Sequence, residues 1–290
     1  MIEGIVLALS ASVIYGLLGV IFEVAGKREY KIWDVILVKQ FTGFCIGLAC
    51  AAVLGSSFLN WRLLGLGLIG AAAYVVTLAA YLVASREKNI ATNWTIVNLS
   101  VVLPILLSVI WFGDEFTMMK GLGVVLTIFS IVLIGSASGQ TSAPKKTSTR
   151  WFACITLAFL LNGVLAILFR FVPEREGTLF TAYFYGSSFL LVAPYKLVMD
   201  RRWKLAKGLI GVSAAGAVTH WMGIMLTIAA LSHIGKVSKE TGVIVYPITN
   251  GLVIPAGVIL GVILLKQRVD RQTGIGVALG VIALICLFVR

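Results

Sequence analysis

The sequence predicts an all-α integral membrane protein of ten transmembrane helices, arranged as two inverted five-helix repeats. Three observations predict it. The 290 residues are 59% hydrophobic and only 12% charged, with a mean hydropathy of +1.01, whereas soluble domains carry about 25% charged residues. Apolar segments recur ten times, each near the roughly 20 residues a helix needs to cross a bilayer. The second five segments also echo the first five: Ile14-Tyr15-Gly16-Leu17-Leu18-Gly19-Val20-Ile21-Phe22 resembles Leu161-Asn162-Gly163-Val164-Leu165-Ala166-Ile167-Leu168-Phe169. A duplicated unit with an odd number of spans must insert its copies upside down. That design places a binding site between the copies at the bilayer midplane.

The spans fall at 2–24, 33–54, 63–84, 91–112 and 117–137, then 151–172, 178–198, 208–231, 240–264 and 271–289. The first carries Glu3 and lacks a basic start, so it reads as a span and not as a signal peptide. Residues 138–150, rich in Ser, Thr and Lys with Pro144, form a linker between a first repeat at 1–137 and a second at 151–290. Further echoes keep their order through both halves. Leu68-Ile69-Gly70 matches Leu209-Ile210-Gly211, Asn98 and Pro104 match Asn250 and Pro255, and the pair Gly121/Gly123 matches Gly274/Gly276. Glycines four apart, as at Gly43/Gly47, Gly257/Gly261 and Gly276/Gly280, put small residues on one face where helices approach closely in lipid. Cys45, Cys50, Cys154 and Cys286 lie inside apolar segments without metal-type spacing and read as packing residues.

The net charge of +12 belongs to the loops. Sixteen of the 24 Lys and Arg follow odd-numbered spans. The positive-inside rule then puts those loops in the cytoplasm and both termini outside, in what reads as a bacterial inner membrane. Basic loops also meet anionic lipid head groups, so membrane lipid is the expected partner and nucleic acid is not.

Polar groups inside spans mark function by default. Lys39 stands a third of the way into the second span, able either to bind a solute carboxylate or phosphate or to snorkel along its stem. His220, beside Trp221 in the eighth span, can carry a proton or hydrogen-bond a neighbouring helix. Glu240 opens the ninth span and either pairs with a cation such as Lys39 or favours the positive end of its own helix. Together with His220 it is the candidate proton-coupling group. Glu23 and Arg170, at matching helix ends, read as interfacial. Trp94 with Asn98, and Tyr246 with Asn250, are aromatic–amide pairs four residues apart in corresponding spans, expected to wall one cavity. Tyr15, Asn162, Tyr81 and Tyr185 complete the candidate solute-binding set. Pro104, Pro247 and Pro255 interrupt the same two helices and are candidate hinges.

The stretch Asn98 to Pro104, then Gly113-Asp114-Glu115 and Lys120-Gly121-Leu122-Gly123, resembles the end of the first repeat of EamA-type transporters of the drug/metabolite transporter superfamily. The second repeat departs from the pattern, with Lys266 and Gln267 where the acidic residue would stand. The resemblance implies a cavity formed by helices 1 to 4 and 6 to 9, with helices 5 and 10 peripheral. It also implies cytoplasmic termini, opposite to the charge count. The small multidrug exporters of this superfamily depend on a glutamate in the first helix. Tyr15 occupies that region here, which disfavours cation-for-proton exchange of that type. No phosphate loop, zinc-protease or nucleophile-elbow motif is present, so neither ATP drive, enzyme activity, metal nor cofactor is expected. The expected function is a secondary transporter of small polar metabolites with an anionic or zwitterionic head, working by alternating access, with export favoured by analogy. The alternatives are a carrier of organic cations held by aromatic rings, a lipid flippase, or a membrane protein that transports nothing.

Overall fold

Long apolar segments broken by short polar turns leave the backbone only one way to satisfy its hydrogen bonds in lipid, and it becomes helix throughout. The computed structural model describes residues 1–84, 93, 96–137, 148–199, 206–266 and 270–288. Ten helices follow in order. They are α1 (Ile2–Lys27), α2 (Ile32–Val53), α3 (Trp61–Ala84), α4 (Ile96–Phe112), α5 (Met118–Ala137), α6 (Thr149–Leu168), α7 (Gly177–Met199), α8 (Leu209–Gly235), α9 (Thr241–Leu265) and α10 (Arg271–Phe288). Among the described residues there is no strand, and six of the helices are long and apolar enough to cross a membrane by length and composition alone.

Each helix start and stop has a local cause. Ser148 caps α6 by accepting a hydrogen bond from the Trp151 amide at 3.0 Å. Gly113 ends α4 in the left-handed conformation at φ 67°, and Lys266 ends α9 in the same way at φ 53°. α4 opens with a 3-10 turn at Leu99–Val101, and α9 contains a π segment at Pro247–Gly251. Pro104 and Pro255 each stand third in the regular α segment that follows, where a missing N–H costs least. The irregular backbone thus lies just before these two prolines. Pro194, inside α7, is a further interruption that the sequence reading passed over.

Packing joins the two halves of the chain. α1 lies along α8 and α6 along α3; α2 pairs with α7, α4 with α9, and α5 with α10. The α5–α10 pair is held by Ser130 donating to the Gly276 carbonyl at 2.7 Å and by Gln272 donating to the Leu133 carbonyl at 3.3 Å. Small residues set the close approaches. A methyl group added at Gly16 of α1 would lie 2.8 Å from the backbone nitrogen of Gly257 in α9, while one added at Gly257 meets nothing nearer than 3.7 Å. Gly16→Ala is therefore expected to cost about 1–3 kcal/mol through overpacking, and Gly257→Ala almost nothing. Thermal unfolding of both variants in detergent checks the asymmetry.

Candidate functional site

Lys39 stands a third of the way along α2, and the structure keeps it inside: it is 1% exposed, so it does not snorkel to the interface. Its Nζ donates to the Tyr74 hydroxyl at 3.0 Å. The same nitrogen lies 4.9 Å from the Tyr74 ring centroid and 5.8 Å from that of Tyr185. Among the described residues no carboxylate pairs with it. The Tyr185 hydroxyl is 2.8 Å from His220 Nδ1, and the His220 ring sits 5.9 Å from Tyr74 and 6.1 Å from Tyr15, centroid to centroid. Five helices therefore meet at one cage: α1 through Tyr15, α2 through Lys39, α3 through Tyr74, α7 through Phe184 and Tyr185, and α8 through His220. Glycine makes the cage possible. A Cβ at Gly43 would stand 2.6 Å from the Tyr185 ring.

A second region lies at the ends of α4, α6 and α8 and the start of α9. A cavity of about 760 Å³ opens there, lined in part by Arg62, Asp114, Arg170, Glu174, Ser232 and Lys239. Asp114, left buried by the turn after α4, takes Arg170 of the α6 end in a two-pronged pair at 2.6 and 2.9 Å. Arg170 also donates to Ser108 Oγ at 2.8 Å and lies 4.1 Å from the Phe112 ring centroid. The same carboxylate accepts from the Gly242 amide in the first turn of α9 at 2.5 Å. At its helix end Arg170 is drawn towards a buried carboxylate and lines the cavity. Glu240 pairs with Lys120 at 3.5 Å, and not with Lys39. Beside it the Glu115 amide donates to the Lys239 carbonyl at 2.8 Å. At the opposite end of the bundle Asp34 and Lys196 form another buried pair at 2.5 Å, linking α2 to α7.

A row of rings joins cavity and cage. Phe169 lines the cavity. It lies 6.1 Å from Phe180, which lies 6.2 Å from Phe184, which lies 6.2 Å from His220. Phe180 and Phe184 are fully buried. The rings fill the way from the cavity to Lys39.

The other expected site residues distribute as follows. Trp221 donates from its indole nitrogen to Thr181 Oγ1 at 3.0 Å, one residue from His220. Tyr246 is fully buried in α9, and its hydroxyl has no hydrogen-bond partner among the described residues. Asn162 donates to Ser100 Oγ at 2.7 Å and to the Val97 carbonyl at 3.4 Å, pinning α6 to α4. Asn250 donates to the neighbouring Thr249 Oγ1 at 3.0 Å. Tyr81 packs with Trp151 and Ile155 near the end of α3, away from the cage. Asn98 begins the 3-10 turn of α4, and Trp94 lies outside the described residues. Tyr74, Phe184, Asp114 and Lys120 were missed by sequence reasoning. A buried lysine needs an acceptor, and Tyr74 lay on the next helix as a findable signal.

The Asp114–Arg170 pair carries a stability prediction. Asp114→Asn leaves a buried guanidinium without its anion and is expected to cost about 3–5 kcal/mol. Arg170→Met strands the carboxylate at a similar cost. The double variant loses clearly less than the two single losses together, as measured by thermal or denaturant unfolding of the four proteins.

With this geometry in view, comparison with known proteins gives three results. Residues 2–136 match the EamA-like transporter family. A stretch of 78 residues is 32% identical to the probable 4-amino-4-deoxy-L-arabinose-phosphoundecaprenol flippase subunit ArnF of Pseudomonas fluorescens; it is 26% of this chain and spans 57% of that relative's length. A protein of known crystal structure shares the fold at TM-score 0.76, with 14% identity over 98% of this chain and 96% of the other. The first part of the chain, residues 2–136, is thus similar to EamA-like transporters, a match over just under half of its length.

Proposed function

We propose that this protein is a secondary carrier for small organic solutes with an anionic or zwitterionic head group, moved by alternating access between two inverted five-helix repeats, 1–137 and 151–290. The observation that carries the reading is Lys39, a buried lysine held by tyrosine hydroxyl and rings with no carboxylate beside it among the described residues. A solute anion supplies the charge this site lacks, and the aromatic walls accept its organic body. Exchange of the halves under a two-fold operation supports the repeat reading: α1 on α8 corresponds to α6 on α3, α3 on α7 to α8 on α2, and α1 on α9 to α6 on α4, while α2–α7, α4–α9 and α5–α10 map onto themselves. The paired left-handed ends at Gly113 and Lys266 support it again.

In this reading the cage is shown closed. The rings from Phe169 to Phe184 bar it from the cavity, and the ties among Asp114, Arg170, Gly242, Lys120 and Glu240 hold the cavity end together. The irregular backbone before Pro104 and Pro255, with Pro247 heading the π segment, is where α4 and α9 bend as that end opens. His220, hydrogen-bonded to Tyr185 in the cage, is the candidate proton carrier. Membrane lipid is the surrounding partner. Outward termini follow from the basic loops, and export rests on family analogy alone.

A second reading is favoured by the flippase-subunit relative: movement of a lipid-linked head group through the same cage. Flux of water-soluble solutes into proteoliposomes containing only this protein separates the two. A thermal-shift screen of metabolites identifies the solute, because a ligand preferring the folded state raises its melting point. Lys39→Ala is expected to lower affinity for anionic and zwitterionic hits by about a hundredfold, in the range of a lost charge-assisted bond, and to spare organic cations. Hits that are all cations with unchanged affinity in Lys39→Ala, or flux only of lipid-linked head groups, would contradict the proposal.

A further inference from the structure

Next to the Lys39 cage the structure holds further polar groups that have no hydrogen-bond partner among the described residues. Gln40 is fully buried, and both its amide oxygen and its amide nitrogen lack a hydrogen-bond partner among the described residues. Thr77 of α3 and Ser188 of α7, also buried, have hydroxyls with no partner among the described residues. Helical spacing places the three along one seam. Thr77 is three residues beyond Tyr74 and Ser188 three beyond Tyr185, so each shares a face with a cage tyrosine, one turn along. Gln40 is three residues before Gly43, whose added Cβ would meet the Tyr185 ring. It also shares a face with Ile36 and Leu37, which pack in one cluster with Val75 and Leu78 of α3 and Phe189 and Val192 of α7. α2 runs antiparallel to α7: Gly43 faces Tyr185, Gly47 faces Ala182, and Asp34 pairs with Lys196. Stepping back from Gly43 to Gln40 therefore moves the same way as stepping forward from Tyr185 to Ser188. Gln40 and Ser188 thus occupy one level at the seam of α2 and α7, with Thr77 about a turn further along α3, and Lys39 leaves α2 from that level to reach Tyr74.

Buried polar groups in folded proteins are almost always bonded, and in lipid no bulk water relieves them. Three uncharged groups left open beside an ammonium match a ligand that carries a hydrogen-bond donor next to its anion. We infer that Gln40, Thr77 and Ser188 form a specificity subsite for an N–H or O–H substituent adjacent to the anionic group that Lys39 binds. The inference rests on the Lys39 reading and deepens it. The Gln40 carbonyl and the two hydroxyl oxygens accept from the substituent, and the Gln40 amide N–H₂ donates to the anion or to the hydroxyl of a 2-hydroxy acid. A carboxylic acid without such a substituent leaves the layer unbonded and binds more weakly.

Gln40→Met, nearly equal in volume and apolar, tests this with two measurements. In ligand-free protein it is expected to hold or raise the melting temperature, by roughly 2 °C, because it removes two open polar atoms. A fall of several degrees means that Gln40 has structural partners and overturns the inference. The second measurement compares thermal shifts of matched straight-chain 2-amino, 2-hydroxy and unsubstituted carboxylates of two to ten carbons, in the unaltered protein, Gln40→Met and Lys39→Ala. The unaltered protein is expected to prefer the substituted acids by about tenfold or more, Gln40→Met to erase that preference while still binding the carboxylates, and Lys39→Ala to lose all three classes. The amino and hydroxy arms show which donor the subsite takes. Equal response to substituted and unsubstituted acids, or an unchanged preference in Gln40→Met, overturns the subsite and leaves Lys39 standing. No response from any acid, or none lost in Lys39→Ala, overturns both.

Discussion

A lysine ammonium inside a membrane-embedded bundle is the constraint from which the rest of this structure follows. Placing Lys at the centre of a transmembrane helix costs about 3 kcal/mol even by the mildest measure. Among the described residues that cost is met without a carboxylate, by the Tyr74 hydroxyl and the faces of two tyrosine rings. Such a shell lacks the opposite charge of an ion pair, and the proposal that Lys39 binds solute rests on that lack. The buried charges that do have partners, Asp34 with Lys196, Asp114 with Arg170 and Glu240 with Lys120, lie towards the helix ends and tie helices together. Lys39 alone among these buried cations is left to aromatic neighbours.

The arrangement divides labour along the bundle. Paired charges fasten the ends, rings fill the passage between, and open polar groups gather at the cage. Glycines let the helices come close enough for this: Gly43 admits the Tyr185 ring, and Gly16 admits the backbone of α9. In lipid, where helices gain little by hiding apolar surface from one another, such contacts and the interhelical hydrogen bonds carry the association. The irregular backbone falls on α4 and α9, the pair that shares the Asp114 network. One carboxylate, Asp114, thus ties α4, α6 and α9 together.

The helical layout was legible in the sequence because it depends on long-wavelength hydropathy, which ten apolar segments display openly. The cage was legible in part. Lys39, Tyr15, Tyr185 and His220 stand out as polar or aromatic residues at mid-span, and they meet. Tyr74 did not stand out, being one more aromatic in an alanine-rich helix until the reach of Lys39 is known. Of the aromatic–amide pairs expected to wall a cavity, the α9 pair has Asn250 bonded to its neighbour Thr249, and Asn162 of α6 reaches Ser100 of α4. Spacing along one helix reveals which residues share a face, but not which helix that face meets. The ion pairs escaped for the same reason: Asp114 and Arg170 are 56 positions apart, and each alone reads as an ordinary loop or helix-end charge.

The measurement that tests the central claim most directly is an anomalous-scattering map of crystals soaked in a bromine-substituted carboxylate such as 2-bromobutyrate. The account predicts a carboxylate within hydrogen-bonding distance of Lys39 Nζ, with the bromine peak enclosed by Tyr15, Tyr74, Tyr185 and His220. Bromine only in the outer cavity beside Arg62 and Lys239, with the cage undisturbed and Lys39 still on Tyr74, would contradict it.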